Sequence, residues 1–106
     1  MTAVATAPRT VLTDSLIDQC GGRAATYDRE NRFFSEDFEA LREAGYLKMA
    51  IPREFGGLGL SLPDVCREQR RLAYRAPATA LAINMHIYWT GVAADMRRLG
   101  DSSLEW

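Results

Sequence analysis

The sequence predicts an all-α fold, a bundle of about four main helices, and three observations lead to that expectation. Apolar residues recur every three to four positions through most of the chain, the spacing of one helix face. Cap-type residues and glycines stand where those stretches begin and end. No segment alternates apolar and polar residues in the manner of a half-buried strand. With 106 residues the chain has room for one small domain. That domain is expected over residues 11–106, behind a flexible arm over residues 1–10.

The first helix is expected to open at Thr13, a good N-cap, with Asp14 suited to the helix dipole. Leu16, Cys20, Ala24 and Tyr27 form its apolar stripe, and Gly21 and Gly22 weaken it by about 1 kcal/mol each relative to alanine. The charged run Asp28–Arg32 reads as a solvated helix end. Ser35 is expected to cap the second helix, with Glu36 and Asp37 in its first turn and Phe33 and Phe34 folded back as a staple. Phe38, Leu41 and Ala44 then face inward, and Gly45 closes the helix in a left-handed conformation.

From Ala44 to Leu62 runs a connection holding Gly45, Gly56, Gly57 and Gly59, with Pro52 keeping Ile51 extended. The Gly56-Gly57-Leu58-Gly59 run lacks the lysine and Ser/Thr of a phosphate-binding loop and does not follow a strand. A structural loop with unusual dihedrals fits it better, and Gly57→Val is expected to damage folding through a positive φ at Gly57.

Ser61 is placed to cap the third helix, with Pro63 in its first turn and Asp64 at capping-box spacing. Val65, Leu72, Ala73 and Ala76 give the buried side, and Arg67, Arg70, Arg71 and Arg75 a solvated one, with Asp64 and Glu68 among them. Pro77 breaks the pattern and starts the longest helix. Ala76–Ala94 is apolar enough to suggest a membrane span, but Asn84 and His86 would lie at mid-bilayer. A helix buried on most sides of a bundle is expected instead, with His86 a satisfied buried histidine. Arg97, Arg98 and Gly100 end it, and a further helix is expected to open at Asp101 or Ser102. That unfinished pattern at Trp106 points to a longer protein.

Composition limits the function classes. Thirteen basic and fourteen acidic residues nearly balance, which argues against a nucleic-acid binder and a polybasic membrane anchor. Cys20 and Cys66 have no metal-ligand spacing, so a reduced, cytoplasmic chain without a metal site is expected. The N-terminus has no signal-peptide pattern. On the fourth helix, Leu81, Asn84 and Tyr88 share one face by spacing, as either a core or a cavity wall would require.

The segment Leu41–Ser61, with its Leu-x-x-Ala-Gly start, Ile51-Pro52 and Gly56-Gly57-x-Gly59, resembles the signature of the N-terminal helical domain of flavin-dependent acyl-CoA dehydrogenases. The Leu72-Ala73 pair and the long apolar helix extend the resemblance over about residues 11–106. It implies a protein over three times longer, homo-oligomeric, with a β-domain and a second helical bundle that bind FAD and carry the catalytic glutamate. No residue of this chain matches that base, and none is assigned as catalytic. Matching through Leu72-Ala73-Tyr74 places the acyl-pocket wall on Ala80, Leu81, Asn84 and Tyr88. A flavin monooxygenase of the same fold is an alternative that the resemblance also allows. A different class, a non-catalytic helical module that self-associates, is the alternative.

Overall fold

The computed structural model describes residues 9–101 and residue 103. The expected helix opening at Asp101 or Ser102 lies mostly outside them, as does most of the expected arm. Four helices follow one another: α1 Asp14–Glu30, α2 Ser35–Ala44, α3 Leu62–Arg75 and α4 Pro77–Arg98. Two short 3-10 turns, Tyr46–Lys48 and Arg53–Phe55, interrupt the long α2–α3 connection. No strand occurs among the described residues. The all-α expectation is met.

Local chemistry explains most boundaries. Thr13 Oγ1 accepts the Leu16 N–H at 3.1 Å, as an N-cap should. Gly21 sits inside α1 because a Cβ there would come within 3.2 Å of Arg75 Cβ, so α1 and α3 approach closely. The α2 N-cap position falls on Phe34, not Ser35. Ser35 is the first helical residue, and no side chain caps this end. Gly45 closes α2 at φ 90° and donates to the Arg42 carbonyl at 3.1 Å. Ser61 has the expected cap dihedrals, but its side chain caps no backbone amide; it bonds instead to the Asp64 carboxylate, which also accepts from Arg67 at 2.8 Å. Ala76, at φ −137° and ψ 68°, ends α3 and lets Pro77 restart the chain as α4.

The long connection is held by its own backbone. The amides of Gly56, Gly57, Leu58 and Gly59 donate to the carbonyls of Arg53, Pro52, Lys48 and Ile51 at 2.9–3.2 Å. Gly57 does not have positive φ, contrary to expectation; Gly45, Gly56, Gly59 and Gly100 do. Glycine is required at 57 for space, since a Cβ would lie 2.1 Å from the Ile51 carbonyl oxygen.

Leu12, Ile17, Cys20, Leu41, Tyr46, Met49, Leu72 and Ile83 form the centre of one core shared by all four helices. Two carboxylates are buried with them. Asp37 accepts from Arg23 at 2.6 Å and Thr79 at 2.8 Å, and Tyr27 Oη lies 3.3 Å away, so it joins α1, α2 and α4. Glu68 accepts the Val11 and Leu12 amides at 2.7 Å each and Arg71 at 2.6 Å. Arg9, expected in the arm, donates to the Leu58 carbonyl at 2.5 Å and returns its own carbonyl to Arg67 at 2.5 Å. Residues 9–12 are thereby strapped over α3 and the glycine loop.

The fold is a slab with extents of 49 × 34 × 18 Å. α4 is covered on one side only. It buries Thr79, Ala80, Ile83, Ile87, Ala93 and Ala94 against α3 and the first 3-10 turn, while Leu81, Met85, Tyr88 and Trp89 stand more than half exposed. This corrects the expectation of a helix buried on most sides. No described helix is long and apolar enough to cross a membrane.

Candidate functional site

α3 and α4 run from a proline-broken corner, and their small residues leave a trough between them. One compartment, of about 330 Å³, is walled by Leu60, Val65, Ile87, Tyr88, Gly91 and Val92. A second, more open one of about 530 Å³ lies toward the corner, against Ala73, Pro77, Ala80 and Leu81. Asn84 borders both, as does Gln69 of α3, and Gln69 Nε2 donates to Asn84 Oδ1 at 3.1 Å.

The four residues expected to form a pocket wall therefore lie on one side of α4 but not in one cavity. Ala80 is buried at the floor of the open compartment, Leu81 projects above it at 74% exposure, and Tyr88 belongs to the narrower one. Gln69 was not anticipated. Only its place opposite Asn84 identifies it, and no spacing within one helix reveals that. Tyr88 stacks edge-on with Trp89, ring centres 5.2 Å apart, an offset arrangement favoured by ring quadrupoles.

The electrostatics concentrate at the other end of the trough. Arg98 lines the narrower compartment and pairs with Asp95. It also borders an adjoining basin with Arg53, Arg97 and Glu54. Arg97 reaches Glu54 at 3.5 Å and lies 4.9 Å above the Phe55 ring.

Other titratable groups are structural. His86 is exposed rather than buried, with Nε2 2.6 Å from the Leu47 carbonyl, so that nitrogen carries the hydrogen and ties α4 to the first 3-10 turn. Burial and then the Asp37 charge push the Cys20 thiol up to about 11, which leaves it unreactive. Burial also raises the Tyr46 phenol, with Glu68 adding to the effect, and its hydroxyl has no hydrogen-bond partner among the described residues. Asp37 and Glu68 border none of the three basins just described, and their bonds to neighbouring donors mark them as structural staples. Among the described residues no His/Cys/Asp/Glu group could hold a metal ion.

The glycine loop does not fit a flavin's diphosphate. All four of its amides from Gly56 to Gly59 are already spent on loop carbonyls, whereas a phosphate cradle needs such donors free. What the loop does is contribute Ala50 and Leu60 to the wall of the narrower compartment. The family described as the acyl-CoA dehydrogenase N-terminal domain matches residues 5–101. The chain belongs to that family.

Two curated relatives share the domain. The acyl-CoA dehydrogenase-type protein YdbM of Bacillus subtilis (strain 168) is 38% identical over 72 residues, covering 68% of this chain and 19% of that protein. The L-evernosamine nitrososynthase of Micromonospora sp. is 38% identical over 84 residues, 76% of this chain and 20% of that protein. The acyl-CoA dehydrogenase N-terminal domain seen here thus spans about a fifth of each relative's length. No solved structure matches it.

Proposed function

We propose that this chain is the N-terminal α-domain of an FAD-dependent, acyl-CoA dehydrogenase-like oxidoreductase of the cytoplasm, and that its α4 face walls the acyl pocket. The observation that carries the reading is the apolar trough between α3 and α4, which places Ala80, Leu81, Asn84 and Tyr88 on one side of one helix. Such a wall suits an alkyl chain, for which burial of each methylene is worth ~0.8 kcal/mol. In this reading the catalytic base and most of the flavin site belong to other parts of the protein, as the family implies. The whole protein would oxidise the CH–CH bond of an acyl thioester, and a homo-oligomer is the proposed assembly.

A second reading has its own support. One relative is named a nitrososynthase rather than a dehydrogenase, so the same domain serves proteins named for different chemistry. A flavin monooxygenase of this fold is the alternative. Anaerobic addition of acyl-CoA thioesters to the flavoprotein that contains this domain tests the two. Bleaching of the flavin absorbance by an acyl-CoA supports the dehydrogenase. Flavin reduced only by a nicotinamide cofactor, with substrate-dependent oxygen consumption, would replace it with the monooxygenase.

A further inference from the structure

We draw no further inference here: the strongest candidate, the exposed apolar stripe of Leu81, Met85, Tyr88 and Trp89 along the open side of α4, carries nothing because nothing in the structure shows what covers it.

Discussion

A Cβ placed on Gly57 would stand 2.1 Å from the Ile51 carbonyl oxygen and 2.5 Å from Ile51 Cβ, whereas one placed on Gly56 meets nothing within 4 Å. The backbone at Gly56 is strained for other residues, at φ 86°, and that conformation costs an L-residue ~1–2 kcal/mol. The two sites thus need glycine for different reasons. Gly57→Ala is expected to destabilise by about 3 kcal/mol or more, since backbone must move, and Gly56→Ala by less. Denaturant melts that rank the two the other way would refute the crowding argument. Glu36 gives a pH prediction at the same scale. The Arg32 guanidinium beside it lowers its carboxyl from 4.5 to about 2. A group whose folded pKa is depressed contributes fully above its unfolded value and loses that contribution as pH falls through the folded one. Between about pH 4.5 and 2, Glu36→Gln should therefore show a weaker fall in Tm than wild type. Parallel Tm curves would remove Glu36 from the acid response.

At the scale of elements, the helices are tied to one another by two buried carboxylates as well as by apolar packing. Asp37 binds groups from α1 and α4, and Glu68 fastens residues 11 and 12 to α3. Removing one partner of such a set leaves the others buried without an acceptor, which typically costs 3–5 kcal/mol. Glu68→Ala is accordingly expected to lower stability by about 3 kcal/mol and to free the strap. Trypsin should then cut after Arg9 much faster than in the wild-type chain. An unchanged cleavage rate would show that Arg9 and Arg67 hold the strap without Glu68. The helices themselves were legible in the sequence because caps and periodicity act within a few residues. The two acids were not. Asp37 resembled a dipole-matching residue of a first turn, and Glu68 one of several charges among arginines. Their farthest partners lie 42 and 57 residues away, beyond the reach of any local pattern.

At the scale of the molecule, one side of α4 has no neighbour among the described residues. Leu81, Met85, Tyr88 and Trp89 stand there between 53% and 74% exposed, spaced as one stripe along the helix. Contiguous apolar surface of this kind favours association. The chain alone is expected to bind a hydrophobic dye and to sediment with a mass that rises with concentration, and Leu81→Lys with Trp89→Lys should suppress both. A dye-silent monomer at all concentrations would contradict the expectation. Periodicity identified the apolar content of α4, but whether that content is core or surface depends on which neighbours are present.

The sequence by itself determined the helical class, the positions of the breaks at Gly45 and Pro77, and the family, because backbone dihedrals and periodic spacing are local properties. Tertiary structure alone decided that Gly57 is a point of contact rather than of positive φ, that Asp37 and Glu68 turn inward, and that Gln69 meets Asn84 across the trough. Each of those depends on atoms brought together by packing, and a side chain's charge or polarity does not reveal in advance which distant donor will satisfy it.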